Sequence, residues 1–267
     1  MKIAGLYCEF LGPPEGEAVI LSAGLGGVAE YWRPNLAALA ARHRVILYDH
    51  RGTARSDRVL PRGHSIESMA DDVLAVLDGL GIERAHLIGH ALGGLIGLSL
   101  ALAAPERLTS IVALNAWAKL DSHTKRCFET RLSLLRDSGP EAFIKATPIF
   151  LYPAAWISTH GKRLEQDAVH QRAAFPGQET TEARIAAVAA FDISARLSEI
   201  TTPVLSLASE DDMLSPYTAA KALADGVPHG RFVLTPRGGH ACNVTEPETF
   251  NRIVIAWLNG DPLPERS

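Results

Sequence analysis

Gly89-His90-Ala91-Leu92-Gly93 spells the frame G-x-S-x-G with alanine in place of the central serine. In that frame a serine stands on a sharp strand-to-helix turn, its hydroxyl exposed above a parallel sheet. A methyl group can neither attack a carbonyl nor carry an acyl group. Cleavage of esters or amides through an acyl-enzyme is therefore excluded at Ala91. Two groups able to hold or move a proton follow in the chain: Asp212, in Ser209-Glu210-Asp211-Asp212, and His240, in Gly238-Gly239-His240-Ala241. Elbow, acid, histidine is the chain order of one type of nucleophile triad. A carboxylate behind an imidazole fixes its tautomer and favours its protonated form. Asp211 rivals Asp212 for that place, and Asp212 could instead cap the turn that follows it.

The glycine turn Ala23-Gly24-Leu25-Gly26-Gly27 follows an apolar run and can aim backbone N–H groups into the same crevice. The Leu25 N–H and the Leu92 N–H, the latter at the start of a helix, would then form an anion hole; the plainer reading is a tight turn only. These glycines match neither a Walker loop nor a dinucleotide fingerprint. Gly24, Asn115, Trp117, Lys119 and Trp156 are candidates for the pocket wall, although Trp117 could simply pack at a hinge. Arg51, in the loop Asp49–Ser56, is expected to tie that loop to a carboxylate.

The elements that must position these groups alternate. Ala18–Leu21, Arg44–Tyr48, Ala85–Ile88, Leu108–Leu114, Val204–Ala208 and Arg231–Leu234 read as strands, near-continuously apolar as strands covered on both faces should be. Trp32–Arg42, Ile66–Leu80, Leu92–Ala104 and Pro247–Leu258 read as helices; in the second, Ile66, Met69, Ala70, Val73, Val76, Leu77 and Leu80 share a face. This rhythm implies an α/β fold with a mostly parallel, doubly wound sheet and right-handed crossovers. From 119 to 194 the alternation stops. That stretch is expected to be a helical cap, broken at Pro140, Pro148, Pro153 and Pro176-Gly177, inserted in a core made of 1–118 and 195–267.

A chain of 267 residues with 47% hydrophobic residues can bury one large core. Its net charge of −4, with no long run of one sign, argues against a nucleic-acid binder. No apolar run reaches the ~18 residues that a membrane span needs, and no signal peptide is expected. Three scattered cysteines, Cys8, Cys127 and Cys242, fit a reducing compartment and hold no zinc or iron–sulfur spacing. The expected location is the cytoplasm, and the expected partner a small molecule.

On Gly24–Gly27, Asp49–Ser56, Gly89–Gly93, Asp212 with Pro216, and His240, the chain resembles the α/β-hydrolases over its full length. Within them it is most similar to the pyrimidine-utilisation protein D family of bacterial uracil degradation. That resemblance is carried by Asn115-Ala116-Trp117, His123–Phe128, Phe150–Trp156 and Gly238–Thr245, and it extends to the alanine at the elbow. Ala54 and Ser209 stand where hydrolases commonly carry glycine. The resemblance implies a C–N hydrolase that accelerates breakdown of carbamate or, alternatively, hydrolyses aminoacrylate to malonic semialdehyde and ammonia. It also implies no metal, no organic cofactor, and homodimers. A slow cleaver of esters by water attack and a non-catalytic pseudo-hydrolase that binds a metabolite or partner remain the rival readings.

Overall fold

A computed structural model describes residues 1–263. Its centre is a sheet of eight strands: β1 (Lys2–Ile3), β2 (Leu6–Leu11), β3 (Ala18–Ser22), β4 (Arg44–Tyr48), β5 (Ala85–His90), β6 (Leu108–Leu114), β7 (Val204–Ser209) and β8 (Gly230–Thr235). The spatial order is β1-β2-β4-β3-β5-β6-β7-β8, antiparallel across β1–β2–β4 and parallel from β4 to β8. The hairpin of β1 and β2 had no counterpart in the sequence reading. Its weak signal is alternation: Leu6 and Cys8 are buried while Tyr7 and Glu9 are half-exposed.

Pleating sends neighbouring residues of each parallel strand into different layers. Val19, Leu21, Val45, Leu47 and Ile88 join one core with Trp32, Leu39, Phe250 and Val254. These belong to the face covered by α1 (Arg33–Ala40) and by α10, the last helix (Pro247–Asn259). Ile20, Ile46 and Leu87 join the opposite core with α2 (Ile66–Gly79) and α3 (Leu92–Ala103). The expected helix at Trp32–Arg42 is shorter than its pattern suggested, because Ala29–Trp32 forms a 3₁₀ turn before Pro34 settles into the first turn of α1. Helix α2 starts on a reciprocal cap, Ser65 and Ser68 each accepting the other's backbone N–H.

Between β6 and β7 lie only helices: α4 (Ser122–Leu151), α5 (Ala154–Thr159), α6 (Gly161–Ala173), α7 (Gln178–Ala190) and a 3₁₀ turn at Ser194–Glu199. Asp121 caps α4 through the N–H groups of His123 and Thr124. The helix bends at Gly139, at φ 83°, and Pro140 opens its second half. Pro148 was expected to break the chain as well. It does not: α4 keeps helical backbone past Pro148 to Leu151, losing only the bond that a proline nitrogen cannot donate. Helices α8 (Tyr217–Gly226), α9 (Cys242–Thr245) and α10 complete the fold.

Candidate active site

Ala91 follows β5 at the centre of the sheet with φ 47° and ψ −111°, a left-handed conformation unusual for a residue with a side chain. The turn around it leaves no room for larger neighbours. A Cβ on Gly89 would lie 2.2 Å from the Gly93 carbonyl oxygen, and one on Gly93 would lie 2.1 Å from that of Ser22. The frame glycines are thus required by packing, and they bring α3 down onto the sheet with its N-terminus beside Ala91. Ala54 has φ 39°, which accounts for the glycine common at that place in hydrolases.

His240 stands between β8 and α9, on the turn made by Gly238 and Gly239. Its Nδ1–H donates to Asp212 Oδ2 at 2.8 Å, and both side chains are almost wholly buried. The other carboxylate oxygen of Asp212 accepts from the N–H groups of Leu214 and Ser215 at 2.7 and 2.9 Å. The two readings of Asp212, partner of His240 and cap of the next turn, therefore hold together in one carboxylate. Asp211 has a different partner, accepting from the Gly239 N–H at 2.8 Å, and so pins the histidine loop rather than its ring. With Nδ1 committed to Asp212, Nε2 is left free of protein partners among the described residues.

Asn115 was expected on the pocket wall and is not there. It is fully buried at φ 48°, its amide donating to the His240 carbonyl at 2.6 Å and accepting from the Ser209 N–H at 3.2 Å. It fastens the acid-bearing strand end to the histidine loop. His90 adds a second donor to the same carbonyl, Nε2–H at 2.8 Å. Lys119 is also displaced from the wall: largely exposed, it pairs with Asp192 at 2.7 Å and closes the neck of the helical insertion. Trp156 stacks on His160 at 3.9 Å, within the short outer helix α5, and does not line the cavity.

A cavity of about 220 Å³ opens over the elbow, bordered by Gly24, Leu25, Ala91, Leu92, Trp117 and His240 below and by α4 side chains above. Leu92 N–H, in the first turn of α3, has no helical acceptor of its own. The Gly24–Leu25 turn is held from behind by Arg184 of α7, whose guanidinium donates to the Leu25 carbonyl at 3.0 Å and to His50 Nδ1 at 3.0 Å, with a longer contact to the Gly24 carbonyl. Arg51 grips Asp72 through Nε and Nη2, and Arg55 grips Asp49, fixing the loop between β4 and α2. Among the described residues no cluster of three or more His, Cys, Asp or Glu could hold a metal ion.

Arg131 and Arg184 were missed in the sequence. Each sits on the apolar face of its helix: Phe128, Arg131 and Leu135 on α4, and Thr181, Arg184, Ile185 and Val188 on α7 are buried at helical spacing. A lone arginine in such a stripe was the signal. Burial pushes both guanidinium groups down to about 10.

Burial also drives His50 and His90 well below the usual imidazole range, helped by the charge of Arg184 for the first and by His240 for the second. His64 is pushed down to about 4, again chiefly by burial. Unfolding frees these rings to bind protons near pH 6.5, so the unfolded state carries more protons than the folded one as pH falls below that value. Stability is expected to be flat above about pH 6.5 and to fall on acidification, by up to about 1.4 kcal/mol per pH unit for each of His50 and His90. Thermal melts between pH 7 and pH 4 measure this; a melting temperature that stays constant over that range contradicts it.

This chain belongs to the alpha/beta hydrolase fold family, which it matches over residues 17–247. Within that family it is related to RutD-type hydrolases. It is 51% identical to the "Putative carbamate hydrolase RutD" of Variovorax paradoxus (strain S110), over 95% of this chain and 96% of that one. It is 48% identical to the protein of the same name in Caulobacter sp. (strain K31), over 97% of each. The enol-lactonase of Burkholderia xenovorans LB400 shares the fold with a TM-score of 0.87 over 96% of this chain and 98% of that one, at 24% identity. No helix among the described residues is long and apolar enough to cross a membrane.

Proposed function

We propose that this protein breaks the carbon–nitrogen bond of carbamate, releasing ammonia and carbon dioxide, by proton transfer without a covalent intermediate. The observation that carries the reading is the pairing of His240 with Asp212 beside an elbow whose centre is a methyl group. Nε2–H of the protonated ring gives its proton to the carbamate nitrogen. The C–N bond pair then leaves with the nitrogen as ammonia, and the carboxylate carbon becomes carbon dioxide. The Leu25 and Leu92 N–H groups hold the carboxylate oxygens, and His240 takes a proton back from water. General-acid help of this kind is worth roughly 10²–10⁴-fold. Residues 119–194 serve as the cap over the site, and 1–118 with 195–263 as the core that carries it; the last four residues of the expected core, 264–267, lie outside the described residues. Three free, buried cysteines support a reducing compartment, hence the cytoplasm.

Aminoacrylate is the second reading, favoured by a cavity of about 220 Å³, far more than carbamate requires. Protonation of its α carbon gives an imine; water then adds to the imine carbon and ammonia leaves, yielding malonic semialdehyde. Decay of carbamate and of aminoacrylate, each followed separately as ammonia release with and without the protein, decides between them. The rate is expected to rise for at least one. Unchanged decay of both would mean that the protein is not this hydrolase.

A further inference from the structure

One charge in the cavity has no counter-charge. Arg131 of α4 lines it and is 4% exposed, yet no acidic side chain among the described residues pairs with it. Its centre lies 4.9 Å from the Phe143 ring, 5.6 Å from Phe150 and 5.9 Å from Phe128. Rings at these distances attract a cation but accept none of its in-plane N–H bonds. Nε is buried with no partner, Nη1 makes no hydrogen bond to the described protein, and Nη2 has only a 3.4 Å contact to Thr147 Oγ1. Cys127, the titratable group whose charge bears on it, has its thiol pushed up by burial and so supplies no anion. Trp117, edge-on to the same Phe128, also lines the cavity, and its indole N–H is buried without an acceptor.

An unpaired buried cation is costly, and a guanidinium with free edges is the natural partner of a carboxylate, which it can grip through two parallel bonds. We propose that Arg131 is a carboxylate receptor that determines specificity, taking a substrate carboxylate carried apart from the carbon that reacts at His240. This rests on reading the cavity as the substrate site and on the second of the two readings above, aminoacrylate, rather than on carbamate. Carbamate bears its carboxylate on the reacting carbon and has none to spare; a three-carbon amino acid such as aminoacrylate has one. The receptor therefore selects short-chain carboxylates with their reacting end one or two bonds further on.

The test uses an unreactive pair, propionate and its neutral isostere propionamide, titrated into the whole protein by calorimetry. Because neither is turned over, the result stands apart from any failure of the proposed hydrolysis. Wild type is expected to bind propionate at least tenfold more tightly than propionamide. Arg131→Met should abolish that preference and raise the melting temperature, since it removes an uncompensated charge. Arg131→Lys, the second variant should the first not fold, keeps the charge but not the fork, and should retain a reduced preference. For aminoacrylate, Arg131→Met should raise KM roughly 10–100-fold, the scale of hydrogen bonds to a charged group, with kcat less affected. Equal binding of the two probes by wild type, or an unaltered preference in Arg131→Met, overturns the proposal.

Discussion

His240→Ala is expected to lower kcat by roughly 10²–10⁴-fold, the usual worth of a positioned proton donor, while KM changes little. The expectation follows from the division of labour in the site. Asp212 holds the His240 Nδ1 at 2.8 Å, and the His240 carbonyl accepts from Asn115 and His90, so Nε2 has little freedom except toward the cavity. The Leu25 and Leu92 N–H groups, to which the proposed mechanism assigns the substrate oxygens, belong to other segments and survive the substitution, which is why binding should persist. The variant leaves the Asp212 carboxylate buried with only the two backbone donors, so a drop in melting temperature is expected too, about 1–3 kcal/mol in stability. Ammonia release must therefore be compared below both melting points. A variant that is folded and as fast as the wild type would remove His240 from the reaction.

Ala91→Ser should produce the opposite kind of change. Its Oγ would stand on an elbow already at φ 47° and ψ −111°, beside His240 and the start of α3. The expected result is a burst of p-nitrophenol from p-nitrophenyl acetate, stoichiometric with enzyme, and ester turnover at least about 10²-fold above that of the native chain, given how much a triad serine contributes elsewhere. Turnover of carbamate or aminoacrylate should not improve. The new hydroxyl would occupy the space between the proposed anion hole and the imidazole, where a small substrate or a water would sit. A large gain in C–N hydrolysis instead would identify the native chain as a serine hydrolase that has lost its nucleophile, and the direct proton-transfer reading would fall.

The sheet was legible because a strand buried on both faces is written as an unbroken apolar run, as in Ala18–Leu21 and Arg44–Tyr48, and such runs have few other readings. The β1–β2 hairpin was not, since a half-exposed edge strand such as Leu6–Leu11 mixes polar and apolar residues within a few positions. Within the site, chain order gave an acid followed by His240 but left Asp211 and Asp212 as rivals, because adjacent residues at a strand end differ only in where each side chain turns: Asp212 to the His240 ring and Asp211 to the Gly239 N–H. The wall could not be read this way. Asn115 and Lys119 leave β6 in the direction of the cavity, but a side chain turns by its own bonds: Asn115 toward backbone carbonyls and Lys119 toward Asp192 at the neck. Arg131 and Arg184 escaped notice because a basic residue on a helix is ordinarily solvated, and only its place within the apolar stripe says otherwise.

Arg184 also makes the helical insertion part of the site's scaffold. It reaches from α7 to the carbonyls of the turn that carries the Leu25 N–H, while the end of α4 is tied to the histidine loop by the bond from the Ala241 N–H to the Leu151 carbonyl, 3.0 Å long. Swinging α7 away tears the first tie, and lifting the end of α4 tears the second. Either displacement would leave the glycine turn or the histidine loop without its brace. The helical insertion and the two site loops are thus braced as one unit, so a substitution in α7 or at the end of α4 is felt at the glycine turn or at His240 even where it does not touch the cavity.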